Sequence, residues 1–125
     1  MQLTNSALLE MYRALTTLSE GWGEGENKIQ YKFTGPTLLK LARNIHALRQ
    51  CALDVQDVIG RRHRDIINGY EKPPLDIVKS FEEEVTIMMK TAEDYKLLPL
   101  TEDELNLNEN AIPPSVLAGI IPILE

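Results

Sequence analysis

From Thr34 to Gly69 the apolar positions recur with the period of a packed helix. Leu38, Ile45, Ala52, Ile59 and Ile66 fall every seven residues, and Leu41, Leu48 and Val55 sit three residues further on. This a/d seam, held for about four heptads, predicts one long helix with a narrow apolar stripe. Gly35-Pro36 suits its first turn, and Asn68-Gly69 followed by Pro73-Pro74 stops it. At ~1.5 Å per residue such a helix is about 50 Å long and needs a partner, from this chain or from a second copy.

The same reading places a first helix over residues 5–20, capped by Thr4 or Asn5 and ended by Gly21. Leu8, Met11, Tyr12, Leu15 and Leu18 form its apolar face. Alternation of Ile29, Tyr31 and Phe33 with Gln30 and Lys32 predicts a strand over 29–33. A third helix is predicted from about Pro74 to Glu93, with Val78, Phe81, Val85, Met88 and Ala92 as a second seam. Residues 95–100, YKLLPL, read as another strand that pairs with 29–33 into a ribbon. Pro113-Pro114 starts a short last helix, which Pro122 ends or kinks. The expected fold is therefore mainly α, in a single domain over residues 1–125. It consists of a long antiparallel helical hairpin, a packed N-terminal helix, a small two-stranded β-ribbon and a short C-terminal helix.

Charge sharpens the hairpin. Residues 1–34, 35–69 and 70–125 carry −1, +3 and −8, so the long helix is basic and the C-terminal segment is acidic. Folding about residue 71 or 72 sets Arg61 and Arg62 opposite Glu82 and Glu83. The acidic C-terminal half argues against broad binding to nucleic acid or anionic membrane. No run approaches the roughly 18 apolar residues of a membrane span. The N-terminus lacks the layout of a signal peptide, and one cysteine excludes a disulfide framework, so a cytoplasmic location is expected.

Candidate chemistry is sparse. Arg61, Arg62 and Arg64, with Arg49, form a basic group that can contact nucleic acid or a partner. The alternative is that Arg61 or Arg62 pairs with the acidic helix and Arg64 is simply solvated. His46 and His63 lie on different faces of one helix and cannot close on one metal ion, and no zinc or iron spacing is present. The long helix offers only Asp54 and Asp57 at a spacing that could share a metal, and the third helix adds no second pair, because Glu82, Glu83 and Glu84 point in three directions. The reading is no catalytic residue, no metal and no cofactor. Trp22, seven residues after Leu15, is expected to pack on the first helix or, alternatively, to face a partner. The apolar ending has the same two readings: Val116, Leu117, Ile120, Ile121, Ile123 and Leu124 either pack over the hairpin or present an interface.

Three stretches, LTNSALLEMYRALTTLSE, KFTGPTLLKLARNIHAL and LNLNENAIPPSVLAGIIPILE, resemble a family of small uncharacterised helical proteins encoded by tailed phages and prophages. The chain departs from that pattern in its glycine-rich loop at 21–27 and at Pro122. The resemblance implies a viral origin, a small accessory protein in the host cytoplasm or the virion, and no catalytic residues to carry over. The expected function is a non-enzymatic interaction or assembly module with a protein partner or a second copy. The alternative is a nucleic-acid-binding regulator.

Overall fold

The helix ends follow local chemistry. In the computed structural model, which describes residues 1–125, strand β1 (Gln2–Thr4) leads into helix α1 (Asn5–Glu20). The Thr4 hydroxyl accepts from the Ala7 N–H at 3.1 Å, and Gly21 at φ +100° ends the helix by donating its N–H to the Thr17 carbonyl. A Cβ at Gly21 would stand 2.5 Å from the Ile29 carbonyl oxygen, so only glycine fits there. Helix α2 (Gly35–Ile66) is capped by Thr34 with Pro36 in its first turn, and α3 (Leu75–Lys90) begins after Pro74. Strand β2 (Ala92–Asp94) and the short helices α4 (Glu102–Leu105) and α5 (Pro114–Ile120) come next, and Pro122 turns the chain into a 3-10 turn at Ile121–Ile123.

Helix α2 is the spine. Its 32 residues span about 48 Å, and the two 16-residue helices α3 and α1, about 24 Å each, lie end to end along it. The hairpin turn sets α3 antiparallel to α2. Arg62 Nε and Nη2 donate to the two Glu84 carboxylate oxygens at 2.8 and 3.1 Å, and the His63 ring meets Phe81 edge-on at 5.6 Å. The fold-back therefore lies at residues 72–73, one residue beyond the expected point. Where α3 stops, α1 starts. The Asn5 N–H donates to the Thr91 carbonyl at 2.9 Å and its Nδ2 to the Met88 carbonyl at 2.8 Å, adding donors at the end of α3, where the Met88 carbonyl otherwise has only the 3.3 Å bond from the Thr91 N–H. Beside this joint β1 and β2 pair antiparallel, with Leu3 opposite Glu93.

The ribbon thus exists, but between other segments than 29–33 and 95–100. Ile29 makes one isolated bridge with Trp22, and Leu100 one with Leu124. The physical reason is two buried asparagines. Asn110 Oδ1 accepts from the Lys32 N–H at 2.8 Å, while its Nδ2 donates to the Lys32 and Leu105 carbonyls at 2.9 Å. Asn44 does the same for Leu98, donating to its carbonyl at 2.9 Å and accepting from its N–H at 2.7 Å. A carboxamide offers the donor and acceptor that a neighbouring strand would, so neither extended segment needs the other.

Helix α1 is the centre of the core. It buries Leu8, Leu9, Met11, Ala14, Leu15 and Leu18, whereas α2 buries only Thr37, Leu41, Asn44, Leu48 and Ala52, and α3 buries nothing fully. Along α2 the buried positions keep the period of a straight helix rather than a strict heptad, so Thr37 is inside and Leu38 is 45% exposed. The C-terminal segment packs on α1, not over the hairpin as expected. Helix α5 crosses α1 at Gly119, where a Cβ would come within 2.7 Å of Ala14 Cβ and 2.8 Å of the Glu10 carbonyl.

Asn110→Ala strands the Lys32 N–H, removes a donor from the Leu105 carbonyl and leaves the Lys32 carbonyl only the longer Asn106 bond, and is expected to cost on the order of 1–3 kcal/mol in denaturant unfolding; a neutral outcome would refute the clamp. Acid sensitivity comes from the Lys40–Glu104 pair. The Lys40 ammonium, 2.9 Å away, holds the Glu104 carboxyl below its usual range; burial opposes this and the Thr101 donors add to it. A folded pKa below the unfolded value of about 4.3 gives stability that is present above that pH and lost as pH falls through the folded pKa. Glu104→Gln is expected to be less stable than the parent at neutral pH and to lose less stability on acidification, read from thermal melts across pH.

Candidate interaction surface

Beyond Ala52 the structure changes character. Val55, Ile59, Arg62 and Ile66 of α2 are only half-buried, as are Ile77, Val78, Phe81, Val85, Met88 and Met89 of α3. Two helices alone cover one stripe of each other and leave its flanks open. The result is an arm, built from α3 and residues 53–66 of α2, projecting from a head in which α1 is enclosed.

The arginines of the basic cluster are not brought together. Arg62 forks onto Glu84; the hydrogen bond to that carboxylate pushes the guanidinium pKa up and the Glu84 pKa down. Arg61 turns back to Asp57 of its own helix at 3.0 Å, and Arg64 has no ion-pair partner. Successive residues of a helix point about 100° apart, and that disperses the three. Arg49 lies elsewhere, on a shallow groove between α1 and α2 shared with Tyr12, Thr16, Ser19, Glu20 and His46.

Trp22 is 45% exposed and does not continue the face of Leu15, because Gly21 at φ +100° takes the chain off the helix and the phase is lost. Its indole borders a groove of about 480 Å³ lined by Glu10, Arg13, Ala14 and Thr17 of α1 and Ser115, Val116 and Gly119 of α5. Val116, Ile120 and Ile123 are buried in the core, Leu117 and Leu124 are half-buried, and Ile121 is 62% exposed. The C-terminal candidates are therefore mostly committed to α1, leaving Trp22 and Ile121 at the surface. Cys51 is half-buried beside Tyr95, whose hydroxyl has no hydrogen-bond partner; burial first, and the thiol second, push its pKa up to about 12. No group of three or more His, Cys, Asp or Glu side chains converges as metal ligands would. No helix is long and apolar enough to cross a membrane.

One stripe escaped the sequence reading. Leu53, Gly60 and Ile67 lie one residue after the seam positions 52, 59 and 66, which turns them to one flank of the arm. Helical phase sets Leu75, Val78 and Met89 of α3 on that same flank, away from the Arg62–Glu84 pair. Leu53 is 43% and Leu75 81% exposed. A Cβ added at Gly60 would meet only Arg64 Nη1, at 3.9 Å, so nothing within the chain calls for glycine there. Glycine in a helix interior costs about 1 kcal/mol relative to alanine. The signal was the repeat of Leu39, Leu53 and Ile67, broken by His46 and Gly60.

Sparse burial predicts uneven opening. Amides of α3 and of residues 53–66 are expected to exchange with deuterium well before those of α1 and of residues 41–52, and uniform protection would contradict the division into head and arm. Comparison with protein-family models, with curated proteins and with solved structures gives no match for this chain.

Proposed function

We propose that the chain is a non-enzymatic interaction module, an accessory protein of a phage or prophage, that acts in the host cytoplasm. Its working surface is the flank of the arm carrying Leu53, Gly60, Ile67, Leu75, Val78 and Met89. The observation that carries this reading is the pairing of exposed leucines with a helix-interior glycine that the chain itself does not use. Exposed apolar side chains that line up on one face mark a surface that meets another protein. The nucleic-acid alternative has less support, because carboxylates already hold Arg61 and Arg62, and Asp65, Glu82 and Glu83 stand nearby on the same arm.

The test is a photo-crosslinking side chain placed in turn at Leu53, at Leu75 and at Ile87, in the cell that makes the protein. Ile87 is the control, 70% exposed but on the opposite flank. Adducts from positions 53 and 75, but not from 87, are the expected outcome. No protein adduct from either leucine would overturn the proposal.

A further inference from the structure

Resting on that reading of the arm, we infer that its flank is occupied by the same flank of a second copy of this chain, related by a two-fold axis parallel to α2. The argument is one of level and charge. The Arg62–Glu84 pair fixes which residues of α2 and α3 stand level along the arm. Two residues on along α2 and two back along α3, Arg64 is level with Glu82. Two residues the other way, Gly60 is level with Thr86. Arg64 and Glu82 are both exposed, neither has an ion-pair partner in the chain, and helical phase turns both toward the flank of Gly60.

A two-fold axis along the arm lays α2 of one copy over α3 of the other without changing these levels. Each Arg64 then meets the partner's Glu82, and symmetry makes the contact twice. Gly60 faces the partner's Thr86, where the missing side chain lets the helix backbones approach closely. Leu53, Ile67 and Leu75 lose their contact with water in the same step. An isologous pairing requires a patch complementary to itself, and a basic group level with an acidic one on the same flank satisfies that requirement. The perpendicular two-fold axis lays α3 on α3, with Glu82 and Glu83 against their own copies, like charge on like.

Sedimentation of the purified full chain over a range of concentrations tests this directly. A reversible dimer is expected. Arg64→Glu and Glu82→Arg should each raise its dissociation constant by roughly tenfold, and the double variant R64E/E82R should restore it. Gly60→Leu should abolish the dimer while the helical circular dichroism is retained, since within the chain a side chain there meets only the flexible end of Arg64, at 3.9 Å. A parent chain that is monomeric throughout, a double variant no better than the single ones, or a dimer indifferent to Gly60→Leu would each overturn the inference. If the chain is monomeric but crosslinks from Leu53 and Leu75 trap a different protein, the interaction module stands and self-pairing falls. If those crosslinks fail too, both fall.

Discussion

Asn44 and Asn110 each hold one residue of irregular backbone by both its N–H and its C=O, and the closure of the head depends on them. Residues 29–33 and 95–100 run extended over the helices with little sheet to satisfy them, and an unpaired buried peptide group costs about as much as a lost hydrogen bond. With Leu98 held by Asn44, Tyr95 and Leu100 reach the core on either side of it. With Lys32 held by Asn110, Tyr31 and Phe33 pack against the same core, and the second Asn110 donor fixes Leu105. Two carboxamides thus let a core built largely of leucine be covered by chain that is neither helix nor sheet.

That cover is confined to one end. Helix α1 has α2 on one side and α5 on the other, whereas α3 has α2 on one side, meets α1 only at its C-terminal end, and faces water elsewhere. Both 16-residue helices share the same spine, so the contrast comes from what the C-terminal third of the chain reaches. It wraps the head and stops there. The arm keeps its shape through a single helix–helix seam and one forked ion pair, so its flanks stay available.

Much of this was legible because it is local. Thr4, Thr34, Gly21 and Pro74 set helix ends by their own backbone and side-chain chemistry, and the sequence placed those ends within a few residues. The hairpin register was legible because opposite charges are grouped, and it came out one residue off. What was not legible is chemistry that looks the same inside and outside. An asparagine in a helix or loop reads as a surface polar residue, and only the fold shows that Asn44 and Asn110 are buried. The alternation at 29–33 was real, but it records Tyr31 and Phe33 turning to the core and not a strand partner. Trp22 was misphased because one left-handed glycine resets the chain direction. The flank of Leu53, Gly60 and Ile67 was masked because a glycine and a histidine interrupt its period. The helical architecture was therefore readable and the candidate surface largely was not.

The close crossing of α5 over α1 at Gly119 has a consequence for synthesis. Residues 5–20 are made roughly a hundred residues before the helix that seals them, since α5 begins at Pro114. At about 5–20 residues per second, the face of α1 that α5 covers waits on the order of 5–20 s open to water. Helices α2 and α3 can close their hairpin in that interval, because their contacts are near in sequence. A growing chain therefore carries a finished arm before it has a finished head.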